Sequence, residues 1–122
     1  MRQPPTAGMI LDYFRERGEA LLAELRGFVE RETPSRDGAS IESFVLDYSS
    51  RLDEAGLTCR QFPGALGPQL LAELPGEDPP IVVVGHCDTV WPLGVVAERP
   101  VDVREGKLFG PGVYDMKAGL CI

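Results

Sequence analysis

Four consecutive β-branched residues, Ile81-Val82-Val83-Val84, run directly into Gly85-His86-Cys87-Asp88-Thr89-Val90, and this stretch restricts the architecture more than any other. A segment apolar at every position, rather than at alternate ones, has no face to offer water. It is expected as a strand covered on both sides, as found inside α/β sheets. The polar residues that follow then fall beyond the carboxyl end of a buried strand, where open α/β sheets build their sites. The fold class that follows is α/β, with a mainly parallel sheet flanked by helices.

The segments around this strand fit that class. Between Met9 and Arg31, the residues Ile10, Phe14, Leu21, Leu25, Phe28 and Val29 recur at spacings near three and four, which predicts an amphipathic helix weakened in its middle by Gly18. Pro34 disfavours a helical Thr33, so a polar loop is expected through Ser40. A second helix is expected from an N-cap at Ser40, with Glu42 in its first turn. Its apolar face is Ile41, Phe44, Val45, Tyr48 and Leu52, and Gly56 supplies the stop. Short strands are expected at Leu57 to Phe62 and Gln69 to Leu74, with a hairpin of Val101 to Arg104 and Lys107 to Phe109 about Glu105-Gly106.

Composition excludes several functions. With 122 residues and 43% hydrophobic content, the chain is long enough for one domain with a real core. A net charge of −7, without any basic run, argues against nucleic acid and against an anionic membrane surface. The apolar run at 81–84 is far too short to span a bilayer. Cys59, Cys87 and Cys121 are odd in number and share no C-x-x-C spacing, so neither a disulfide framework nor a thiolate zinc site is indicated. A reducing, cytoplasmic setting is the expectation, since the segment from Met1 to Pro5 leads into no apolar signal core.

The candidate chemistry starts at His86. If extended backbone continues past Val84, His86 and Asp88 share one side and Cys87 faces the other. A zinc-bound imidazole usually donates its second N–H to a carboxylate, and an Asp two residues along suits that role. Downstream lies a second cluster, Gly110-Pro111-Gly112-Val113-Tyr114-Asp115-Met116-Lys117-Ala118-Gly119. By itself it reads equally well as a helix start with Asp115 as N-cap. It lacks the Gly-Lys-Ser/Thr ending of a phosphate loop.

Together, Gly85 to Val90 and Gly110 to Gly119 resemble the motifs of the zinc exopeptidase family of glutamate carboxypeptidase, aminoacylase and succinyl-diaminopimelate desuccinylase. Glu32-Thr33-Pro34-Ser35 is similar to that family's loop between its first two helices, and Val90-Trp91-Pro92-Leu93-Gly94 leans toward the glutamate carboxypeptidase branch. The resemblance implies that His86 and Asp115 are metal ligands, with Asp115 bridging two metals, and that Asp88 is the catalytic-site carboxylate that orients His86. It implies Zn2+, two per complete site, with Co2+ or Mn2+ as alternatives. Such metals lower the pKa of a shared water and polarise an amide carbonyl. The implied substrates are peptides, folate-like molecules or N-acyl amino acids, and the full-length form is expected to be a homo-oligomer.

The family also uses a general base from a Glu-Glu pair and further ligands beyond the bridging Asp. This sequence has no such pair, and no acidic residue or histidine follows Asp115. Residues 1–122 are therefore expected to be the N-terminal portion of a longer catalytic domain, inactive alone. The alternative is a non-catalytic half-fold that acts in binding or assembly. A thiol hydrolase using Cys87 ranks below both, because neighbouring His86 and Cys87 point opposite ways on a strand.

Overall fold

The computed structural model describes residues 4–122 of the chain; Met1 to Gln3, where the N-terminal reading began, lie outside the described residues. Two helices replace the single long one expected at the start, α1 (Ala7–Glu16) and α2 (Gly18–Glu30), with the break at Arg17 immediately before Gly18. Thr6 caps α1, its hydroxyl accepting from the Met9 N–H at 3.3 Å. No residue of α1 is buried, whereas α2 buries Phe28 and Val29.

The next helix, α3 (Gly38–Glu54), is capped by Asp37 rather than by Ser40. The Asp37 carboxylate accepts from the Ser40 N–H at 3.0 Å, so Ser40 sits inside the first turn as the capped donor. Ile41, Phe44 and Val45 are buried as the periodicity predicts. At the far end, Gly56 N–H donates to Asp53 and Leu57 N–H to Leu52, the paired bonds of a Schellman stop at the expected glycine.

Strands β1 (Thr58–Phe62) and β2 (Gln69–Glu73) pair antiparallel and pack against α3. A short helix α4 (Val95–Glu98) follows, then the hairpin β3 (Asp102–Arg104) and β4 (Lys107–Phe109). The hairpin turns at Glu105 and Gly106, with φ of 51° and 72°, the type I′ geometry that matches strand twist. A 3-10 helix, Lys117–Cys121, closes the described chain.

The core lies where α2, α3 and the 3-10 helix meet. Phe28, Phe44 and Tyr48 form an aromatic cluster with ring centroids 5.2 to 5.9 Å apart, and the Tyr48 hydroxyl donates to the Leu120 carbonyl at 2.9 Å. Edge-on and offset rings at these separations add to the burial energy of the side chains themselves.

The expected buried strand does not form. Ile81 to Val84 belong to no ladder among the described residues, and their exposures run from 79% to 92%. A strand apolar on both faces gains stability only when partners pair its edges and layers cover its faces, and the described residues supply neither. Both sheets that are present are antiparallel hairpins; the parallel pairing is confined to a single bridge between Pro34 and Thr89 and a second between Ala65 and Gly67. No helix among the described residues is long and apolar enough to cross a membrane.

Candidate metal site

That parallel bridge fixes the position of His86. Thr89 N–H donates to the Thr33 carbonyl at 2.8 Å, and Ser35 donates from both its N–H and its hydroxyl to the Thr89 carbonyl at 3.0 Å. The Thr33 hydroxyl donates to the Cys87 carbonyl at 2.6 Å. Pro34 cannot donate, so the residues on either side of it carry the bonds. One residue upstream, the Glu32 carboxylate accepts from Gly94 N–H at 2.8 Å and Val96 N–H at 2.9 Å, tying down the start of α4. Residues 32–35 thus fasten the chain at Cys87 and Thr89, on either side of Asp88, and again at Gly94 and Val96.

Asp115 arrives from the other motif. Gly112 accepts from Lys117 N–H and Val113 from Ala118 N–H, winding residues 110–119 into consecutive turns. The 3-10 helix has Met116 at its N-cap and no side-chain cap bond, so Asp115 is not used as a helix cap. Its carboxylate turns to His86 instead. The Met116 sulfur also receives the His86 backbone N–H at 3.4 Å.

The two motifs therefore converge on one imidazole. His86 Nδ1 lies 3.0 Å from the Asp88 carbonyl and 3.3 Å from the Asp88 carboxylate, and Nε2 lies 2.9 Å from Asp115 Oδ1. The expected partner of Nδ1 was the Asp88 carboxylate; the hydrogen bond goes to the Asp88 main-chain oxygen, and the carboxylate stands slightly farther off. Ring and carboxylates border a cleft of about 260 Å³ that also includes Ser35, Trp91 and Tyr114.

The chemistry of these donors tests their fitness for a cation. When Nδ1 donates its proton to Asp88, Nε2 of a neutral ring carries only a lone pair. That lone pair faces a carboxylate oxygen, itself an acceptor. Two acceptors at 2.9 Å need a positive species shared between them, a proton or a metal ion. Burial opposes the charged ring, yet the hydrogen bonds to Asp88 and Asp115 and the two carboxylates outweigh it and raise the His86 pKa. The pair fits one face of a metal site. Among the described residues no third His, Cys, Asp or Glu joins them.

Cys87 plays no part in this set. Burial pushes its thiol pKa up, keeping it protonated and poorly suited to nucleophilic or ligand chemistry. The roles of Glu32 and of Lys117 were not apparent from residue types. A charged residue inside an otherwise small and apolar turn, as at Met116-Lys117-Ala118, is the signal that marks the second. Burial lowers the Lys117 pKa to about 8.

No family model matches the chain. It is 27% identical over 104 residues to Carboxypeptidase G2 of Pseudomonas sp. (strain RS-16), an alignment that covers 82% of this chain. The alignment takes in 25% of that protein, so the chain spans about a quarter of the relative's length.

Proposed function

We propose that this chain carries the first two metal ligands of a zinc-dependent hydrolase that cleaves peptide or N-acyl amino acid amide bonds. One observation carries the reading: His86 Nε2 and Asp115 Oδ1 stand at 2.9 Å while Nδ1 is committed to Asp88. The similarity to a carboxypeptidase supports the same class of chemistry. In this reading Ile81 to Val84, unpaired here, would pair as an inner strand of a parallel α/β sheet only in the polypeptide that supplies the remaining ligands, and the protein works in the cytoplasm.

His86 and Asp115 would hold the metal, which when bound supplies Lewis-acid polarisation of an amide carbonyl and acidifies water. The chain's own residues perform the positioning. Asp88 fixes the ring tautomer that leaves Nε2 free to bind. Thr33 and Ser35 hold the backbone on which His86 and Asp88 ride. Exposed Tyr114 and half-buried Trp91 border the cleft where a peptide, folate-like or N-acyl substrate would lie. Two protein ligands fall short of the usual three or four, so hydrolysis is expected only from a polypeptide that supplies the remainder.

The test uses the single histidine, whose ring signals are unambiguous by NMR. Zn2+ added to the chain is expected to bind weakly at Nε2 and to displace a proton. Affinity should therefore rise as pH rises through the elevated His86 pKa. Asp115→Asn should weaken binding by about tenfold or more. Ring signals that ignore millimolar Zn2+, or that respond equally with Asp115→Asn, would overturn the reading.

A second reading, a half-fold serving assembly, draws on the exposed Ile81 to Val84, whose unpaired edges suit addition of another strand.

A further inference from the structure

Lys117 is the fully buried charged residue among the described residues, 1% exposed. Its ammonium donates to the Phe28 carbonyl at 2.7 Å and to the Arg31 carbonyl, and lies 4.9 Å from the centre of the Phe44 ring. Those carbonyls belong to the C-terminal end of α2. Helix C-terminal carbonyls have no intrahelical partners and carry partial negative charge, so an ammonium there satisfies them and is itself satisfied.

The chain positions on either side of this contact give it meaning. Arg31 leads at once into Glu32 to Ser35, the loop whose bonds to Cys87 and Thr89 hold His86 and Asp88. Lys117 follows Asp115 by two residues, and its own N–H donates to Gly112 in the same set of turns. One side chain therefore spans from the carrier of Asp115 to the root of the clamp on His86.

We propose that Lys117 is a positioning residue of the candidate metal site, its buried ammonium tying the turns that bear Asp115 to the end of α2 and so setting the distance from Asp115 Oδ1 to His86 Nε2. The claim rests on reading that pair as the metal site. The ammonium also lies over the Phe44 ring, so the tie cannot move away without giving up this contact together with its two hydrogen bonds.

The experiment compares wild type with Lys117→Met, which keeps the length and removes charge and donors. The readout is the His86 Nε2 resonance in the folded state, without metal, together with Zn2+ affinity. Lys117→Met is expected to shift Nε2 in the direction that Asp115→Asn does, and to lower Zn2+ affinity about tenfold. In the double variant the effects should not add, because both act through one contact. A lysine with a purely structural role would lower the unfolding midpoint and leave the folded-state ring signals at their wild-type positions; that result overturns the proposal. If Lys117→Met does not fold, Lys117→Gln, which retains a donor, is judged by the same criterion. Failure of the metal reading looks different: wild-type ring signals then ignore Zn2+, whatever Lys117 does to the metal-free ring.

Discussion

His86 faces a main-chain carbonyl on one nitrogen and a carboxylate on the other, and Glu32 likewise spends both of its oxygens on backbone N–H groups. For Glu32 the bonds from Gly94, then Val96, hold its pKa below 4.5 against the opposing effect of burial. An acid with a depressed folded pKa contributes stability above its unfolded value and loses it as pH falls through the folded one. Wild type is therefore expected to lose urea resistance more steeply than Glu32→Gln below about pH 4.5. Parallel declines for the two proteins would show that these bonds do not favour the ionised form.

At the level of elements, the turns from Gly110 to Gly119 and the stretch from Cys87 to Thr89 meet at Gly112. This glycine has φ of 74°, and a Cβ there would stand 2.5 Å from the Thr89 methyl. Gly112→Ala is expected to cost more than about 1 kcal/mol and to shift the His86 ring signals, since Thr89 must move. Gly76→Ala, where an added Cβ meets nothing within 4 Å, serves as the control and should be near neutral. Equal unfolding midpoints for the two variants would mean that the contact with Thr89 relaxes freely.

Over the whole molecule, the burial of α2, α3 and the 3-10 helix contrasts with apolar surface left open elsewhere. Met9, Ile10 and Leu11 on α1 and all of Ile81 to Val84 are exposed. An extended apolar segment with unpaired backbone is a template for edge pairing, so the isolated chain is expected to self-associate with rising concentration. Val83→Lys should raise the monomer fraction in sedimentation velocity without lowering the unfolding midpoint. An unchanged monomer fraction would place the self-association surface elsewhere, or show that there is none.

What could be read from residues alone was local. Helical spacing located the buried face of α3, Gly56 marked its end, and Glu105-Gly106 marked the hairpin, because each signal is complete within a few residues. The same locality misplaced the α3 cap, since Asp37 and Ser40 are both good capping residues and only the path of the chain chooses between them. His86, Asp88 and Asp115 stood out as residue types, and their order in the chain carried the resemblance. Tertiary structure decided the rest: that Nε2 meets Asp115 across 29 positions, that the Asp88 carbonyl takes the nearer place at Nδ1, and that Lys117 is buried. It also left Ile81 to Val84 in the open, against their pattern. The reason is common to all of these outcomes: periodicity and turn chemistry act between near neighbours, whereas convergence and burial depend on which distant segments are present to make contact.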